Sequence, residues 1–123
     1  MYLAMDMGTS NTRVWLCDKD KILCAKKMPF GAKLGLAEGK NVLVTKLRRL
    51  FGEILIENNV SENDVECIIT SGMSGSEFAL CDVPHISAPA DKYVLAENVC
   101  VKEIPELTEL PIWFVPGVKT TDD

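Results

Sequence analysis

Ala4-Met5-Asp6-Met7-Gly8-Thr9-Ser10-Asn11-Thr12-Arg13 is the stretch on which the fold turns. A short apolar run ends in an acid, a tight turn dense in glycine, hydroxyls and amides follows, and a second extended run begins. Such a hairpin suits nucleotide phosphates. Gly8 lets the backbone approach an anion closely, and successive turn N–H groups converge on it. Thr9, Ser10 and Asn11 add side-chain donors. Asp6 is placed to hold Mg²⁺, through water, because that ion keeps most of its hydration and takes few carboxylates. Composition alone leaves a second reading open, in which the turn is a plain polar hairpin and Asp6 merely accepts turn N–H groups.

Outward from this stretch, residues 2–7 read as one strand and residues 11–17 as a second. Val14 and Leu16 fall on one face of the second strand, Arg13 and Trp15 on the other. Asp18-Lys19-Asp20-Lys21 is a polar turn, and residues 22–28 form a third strand. The domain therefore opens with an antiparallel three-strand meander. Residues 29–39 are rich in glycine, lack periodicity and read as a loop. Between residues 41 and 58, Leu43, Leu47, Leu50, Phe51, Ile54 and Leu55 recur at helical spacing, leaving Lys46, Arg49, Glu53 and Glu57 outside the stripe. A turn at 61–64 precedes a buried strand at 65–70, which runs into the small-residue loop Ser71-Gly72-Met73-Ser74-Gly75-Ser76. Short helices are expected at 77–81 and 91–98, and further strands at 99–104 and 111–115. The order specifies an α/β domain, a mixed sheet with helices packed on it.

The totals narrow the field. The chain has 123 residues, 47% hydrophobic and 25% charged, which suits one globular domain. A net charge of -5 without a dense basic stretch disfavours nucleic acid or an anionic membrane as partner, but leaves a small anionic ligand open. Five cysteines (Cys17, Cys24, Cys67, Cys81, Cys100) lack zinc-knuckle spacing and read as buried reduced thiols of a cytoplasmic protein. No signal peptide or membrane span is read. Neither a P-loop nor a Rossmann glycine motif occurs, so a nucleotide would bind in the hairpin manner. The sole histidine, His85, and the loop lysines Lys33 and Lys40 are weaker ligand candidates. Trp15 and Trp113 read as core or half-buried strand residues.

The motifs carry a resemblance. Asp6-x-Gly8-Thr9-Ser10-Asn11-Thr12-Arg13 resembles the first phosphate motif of the superfamily of actin, Hsp70 chaperones and sugar kinases. Gly72-Met73-Ser74-Gly75-Ser76 is similar to the Gly-Met-x-Gly-Ser segment of 2-keto-3-deoxy-galactonokinases, with Val83-Pro84 and Pro89-Ala90 at suitable spacing. Ile112-Trp113-Phe114-Val115-Pro116-Gly117-Val118 resembles that family's late strand. Three motifs in the family's order span the chain. Two positions depart from the pattern: Met7 stands where members often carry Trp, and Phe78 is the nearest aromatic after the second motif.

The resemblance implies a ribonuclease-H-like lobe of the actin-like ATPase kind. It also implies a full-length enzyme that moves the γ-phosphoryl group of ATP to 2-dehydro-3-deoxy-D-galactonate. Asp6 would organise Mg²⁺, and Gly8, Thr9, Ser10 and Asn11 would grip the phosphates. Arg13, Gly72, Met73, Gly75 and Ser76 would face the sugar acid. Residues 1–118 would form the phosphate-binding lobe of a two-lobe kinase. Residues 119–123 would be a polar tail or the start of the second lobe, whose phosphate and adenosine motifs are not in this sequence. This chain is expected to be too short for a complete enzyme, to bind ATP weakly, and to expose an inter-lobe face capable of self-association. The alternative is a non-catalytic actin-like module that binds nucleotide or a partner.

Overall fold

Three strands joined by tight turns open the structure: β1 (Tyr2–Met7), β2 (Thr12–Asp18) and β3 (Lys21–Met28). A computed structural model of the protein describes residues 1–72, 80, 86–87, 97–116 and 118–119. β1 pairs antiparallel with β2, from Tyr2 opposite Cys17 to Met7 opposite Thr12, and β2 pairs antiparallel with β3. The alternation read from the sequence is realised. Leu3, Met5, Met7, Val14 and Leu16 are buried on one face, while Asp6 and Arg13 are exposed on the other.

Residues 32–38, expected to be loop, instead form the helix α1 (Ala32–Glu38). Seven residues are too few for apolar periodicity to stand out, and propensity alone cannot nucleate so short a helix. Tertiary contacts supply the difference, because the first two amides of α1 donate to carbonyls of the 8–11 turn. Gly39, at a φ of 101° that favours glycine, then joins α1 directly to α2 (Lys40–Glu57).

The stripe read on α2 packs as expected. Leu43, Val44, Leu47, Leu50, Phe51 and Ile54 are buried, and Leu55 is half-buried. Each such aliphatic or aromatic side chain contributes roughly 1.5–3 kcal/mol by leaving water. The Asn58 side chain closes the helix by donating to the Ile54 carbonyl at 2.7 Å. A 3₁₀ turn at Glu62–Asp64, capped by Ser61, leads to β4 (Ile68–Gly72). This strand starts three residues later than the sequence pattern suggests, and it takes in Ser71 and Gly72 from the expected loop. β5 (Ile86–Ser87), β6 (Cys100–Lys102), β7 (Ile112–Phe114) and β8 (Val118–Lys119) follow. The helices expected at 77–81 and 91–98 fall largely outside the described residues.

The main sheet has the order β3-β2-β1-β4-β7-β6. β1, β4 and β7 run parallel at its centre, and β6 returns antiparallel to β7. An antiparallel meander grafted through a helix onto parallel strands is the ribonuclease-H-like arrangement. The core fills the space between α2 and the face bearing Leu3, Met5, Leu16, Ile68, Ile112 and Phe114. Trp113, read from the sequence as core or half-buried, is instead 43% exposed, because the alternation that buries Ile112 and Phe114 turns it to the outside. No helix among the described residues is long and apolar enough to cross a membrane.

Four of the cysteines lie among the described residues. All are free thiols, but only Cys17 is buried; Cys24, Cys67 and Cys100 are half-buried. Cys24 and Cys100 pack against the edge of the core. Desolvation, with help from Glu66, pushes the Cys67 thiol above its usual value, which keeps it protonated and slow to react.

Outside the core, Lys26 of β3 meets Glu57 at 2.7 Å and Glu53 at 3.7 Å on α2. Its hydrogen bond to Glu57 holds the ammonium above the usual lysine range. A raised folded value stabilises the protein below the unfolded lysine value and loses that stabilisation as pH rises through the folded one. Lys26→Met is therefore expected to lower the unfolding midpoint slightly at neutral pH. The gap to wild type should close in strongly alkaline buffer and narrow in high salt, as thermal melts across pH would show.

Candidate phosphate and sugar-acid site

The hairpin turn between β1 and β2 is closed by one bond of its own and fastened to residues 30–33 by three more. Gly8 N–H donates to the Asn11 carbonyl at 2.8 Å, closing the turn. Ala32 N–H and Lys33 N–H donate at 3.0 Å each to the Gly8 and Thr9 carbonyls. The buried Thr12 hydroxyl donates to the Phe30 carbonyl at 2.7 Å. Gly31 makes this close approach possible: a Cβ there would lie 2.2 Å from the Gly8 carbonyl oxygen.

With carbonyls tied to α1, the amides of the turn are left for something else. The N–H groups of Thr9, Ser10 and Asn11 have no acceptor among the described residues, and all three side chains are exposed. Successive free amides of this kind form a nest for an anion. The fit to a polyphosphate is thus one of donor chemistry, three main-chain and three side-chain donors on one turn.

Asp6 lies at the end of β1 beside this nest. Its carboxylate is exposed and carries neither a hydrogen bond nor an ion pair among the described residues. A free carboxylate next to a phosphate nest suits a hydrated Mg²⁺.

The second motif arrives at the same place. β4 runs parallel to β1, with Ser71 opposite Asp6 and Gly72 opposite Met7. Gly72 has a φ of 77°, and a Cβ on it would lie 2.5 Å from the Met7 carbonyl oxygen and 2.9 Å from Asp6 Oδ1. Only glycine lets the chain turn off β4 this close to the carboxylate. The third motif joins through β7, where Phe114 is opposite Thr70 and Val115 N–H donates to the Thr70 carbonyl at 2.9 Å. The three motifs therefore meet at the carboxyl ends of three adjacent parallel strands, where open α/β sheets place their ligands.

Met73, Gly75 and Ser76, expected on the sugar-acid side, lie outside the described residues, as does His85. Arg13 is described and exposed. It stands opposite Asp6 on β2 and opposite Lys27 on β3, so Lys27, Arg13, Asp6 and Ser71 form one polar row. Lys27 and Ser71 escaped the sequence reading because strand pairing alone sets them beside the motif residues. Neither Arg13 nor Lys27 has a carboxylate partner among the described residues. Lys33 lines a cleft of about 280 Å³ with Thr9, Ser10, Phe30, Gly31 and Leu34, whereas Lys40 is simply exposed at the start of α2. No cluster of three His, Cys, Asp or Glu residues with metal-site geometry occurs among the described residues.

Comparison with known proteins agrees with this fold. A crystal structure of a protein from Sinorhizobium meliloti, assigned as a 2-dehydro-3-deoxygalactonokinase, superposes with a TM-score of 0.71 at 21% identity. The match covers 99% of this chain and 36% of that one, so the chain spans about a third of its length. A reductive activator for a corrinoid, iron-sulfur protein superposes with a TM-score of 0.54 at 15% identity, covering 94% of this chain and 22% of that protein. These likenesses establish the shared fold. No curated protein matches. The sequence itself matches the family model for 2-keto-3-deoxy-galactonokinase over residues 6–123, from the Asp6 motif to the last residue, and the chain belongs to that family.

Proposed function

We propose that this chain is the phosphate-binding lobe of an ATP-dependent sugar-acid kinase whose acceptor is 2-dehydro-3-deoxy-D-galactonate. The observation that carries the reading is the turn at 8–11, with three amides and the nearby Asp6 carboxylate that have no partner among the described residues. Thr9, Ser10 and Asn11 would hold the ATP phosphates, with Gly8 allowing close approach, and Asp6 would hold Mg²⁺ through water. Bound Mg²⁺ would supply charge neutralisation at the phosphate oxygens. Phosphoryl transfer depends mainly on positioning and electrostatics, and the chain's own contribution is a rigid cradle. Rigidity comes from the bond that closes the turn and the three that fasten it to α1 and to Phe30.

Arg13 and Lys27 lie in register with Asp6, on the side away from β4. We assign them to the anionic substrate, where the guanidinium fork suits a carboxylate. Gly72 ends β4 beside Asp6, which supports a substrate role for Met73, Gly75 and Ser76 that follow it in the sequence. Residues 1–118 would act as one lobe in a cytoplasmic enzyme, with a second lobe supplying the adenosine contacts and closing over the phosphates. Alone, the first lobe leaves the anion in water, where such interactions are weak.

The test is ADP release by the product of the whole reading frame, given Mg-ATP and a panel of 2-keto-3-deoxy sugar acids. Turnover with the galactonate-derived acid, well above that with its epimer, is expected. ATP binding without turnover on any acid would overturn the kinase reading in favour of a non-catalytic nucleotide-binding module.

A further inference from the structure

Of the two loop lysines singled out in the sequence, Lys33 borders the phosphate turn and has no task in the function proposed above. Its backbone amide donates to the Thr9 carbonyl at 3.0 Å, so the root of its side chain is fixed one hydrogen bond from the turn. From there the side chain lines a cleft of about 280 Å³. Thr9 and Ser10, two of the residues that would hold the phosphates, line the same cleft. Phe30, Leu34 and Ala37 are among its apolar walls. Ala37 lies one helical turn beyond Lys33 and Leu34 on α1, which gathers the three on one side of that helix.

The charge in this cleft is unopposed. The chain carries 18 acidic against 13 basic residues, yet no Asp or Glu lines the cleft among the described residues. Lys33 is exposed, and its ammonium has no ion pair or hydrogen bond among the described residues. Lys26, by contrast, is taken up by Glu57 and Glu53. A lysine without a counter-charge, beside a wall that keeps water from one side, loses less of its attraction for an incoming anion to the solvent.

We propose that Lys33 is a phosphate-binding residue, whose ammonium reaches through this cleft to the polyphosphate of a nucleotide seated on the 8–11 turn. The inference rests on the reading of that turn as the phosphate site. It adds a protein cation on the α1 side of a turn that otherwise offers neutral donors. Mg²⁺ neutralises only part of a polyphosphate's charge, so a second cation has work left to do. Asp6 approaches the turn from the end of β1 and Lys33 from α1, and the phosphates would be gripped from two elements. The carboxylate of a sugar acid suits the planar fork of Arg13 better. A lysine ammonium is a point charge that donates to whichever phosphate oxygen comes within reach.

The test is titration calorimetry on the product of the whole reading frame with two probes, Mg-ATP and Mg-tripolyphosphate, the second lacking the nucleoside. Lys33→Met keeps most of the stem and removes the charge. It is expected to weaken both probes about tenfold, the low end for a hydrogen bond to a charged group. Lys33→Arg should recover most of the loss. Lys40, exposed at the start of α2 and outside the cleft, is the control, and Lys40→Met should bind both probes like wild type. Wild-type affinity should also fall more steeply with salt than that of Lys33→Met. The thermal midpoint without ligand and the KM for the sugar acid should not change, since the side chain is exposed. Undiminished binding of both probes by Lys33→Met overturns the proposal and leaves the turn as the phosphate site. A change confined to the KM for the sugar acid overturns it too, and moves Lys33 to the acceptor. An equal loss in Lys40→Met overturns it by exposing a general charge effect. If the unaltered protein binds neither probe, the phosphate reading of the turn falls and this inference with it.

Discussion

Asp6→Asn in the full-length protein is expected, on the proposed function, to reduce kcat/KM at least 10²–10³-fold, about the loss seen when one preorganised electrostatic group is removed from a transition state. The substitution keeps the volume of the side chain and removes its charge. The close approach of Gly72, where a Cβ would lie 2.9 Å from Asp6 Oδ1, is therefore undisturbed. Because Asp6 is exposed and makes no internal hydrogen bond or ion pair among the described residues, stability should change by no more than about 0.5 kcal/mol. Steady-state ADP release and a thermal melt on the same preparation check both halves. The Mg²⁺ concentration for half-maximal rate should also rise, which separates a metal role from a structural one. Near-normal turnover would remove Asp6 from the metal site and return it to the role of a polar turn residue.

Gly31→Ala has the largest expected effect on stability. Its φ of -156° is ordinary extended backbone, so no conformational strain is involved. The obstacle is space. A Cβ would lie 2.2 Å from the Gly8 carbonyl oxygen, 2.7 Å from that of Thr9 and 2.8 Å from the Thr9 carbonyl carbon. All three are backbone atoms of a turn already pinned by Ala32 and Lys33, so none can swing aside as a side-chain end could. Relief requires parting the turn from α1. The cost should approach about 3 kcal/mol, the upper end for overpacking. Chemical denaturation of the variant would measure it. In the full-length protein ATP affinity should fall as well, because the free amides of Thr9, Ser10 and Asn11 depend on that docking. A fully stable Gly31→Ala protein would show that the turn and α1 are not rigidly coupled.

The candidate site was legible at its chemistry-bearing centre. An acid followed by Gly8, Thr9, Ser10 and Asn11 has few structural uses besides a polar turn that can hold an anion, and the hairpin formed where read. The sequence did not contain the reason the amides find no acceptor among the described residues. That reason is the pair of bonds from Ala32 and Lys33, residues more than twenty positions away in a segment with no helical period. Gly31 and Gly39 looked like loop glycines; one is a contact point and the other a helix junction. Lys27 and Ser71 became site neighbours only when β3 and β4 found their registers.

By itself the sequence determined the opening meander, the buried stripe of α2, the α/β class and the family, since these rest on local periodicity and contiguous motifs. Tertiary structure decided α1, the convergence of the three motifs on the ends of β1, β4 and β7, and the outward turn of Trp113. Each of these depends on which strand lies beside which, and on contacts between residues far apart in the chain. Periodicity shows which side chains share a face of one element. Only packing fixes what that face meets.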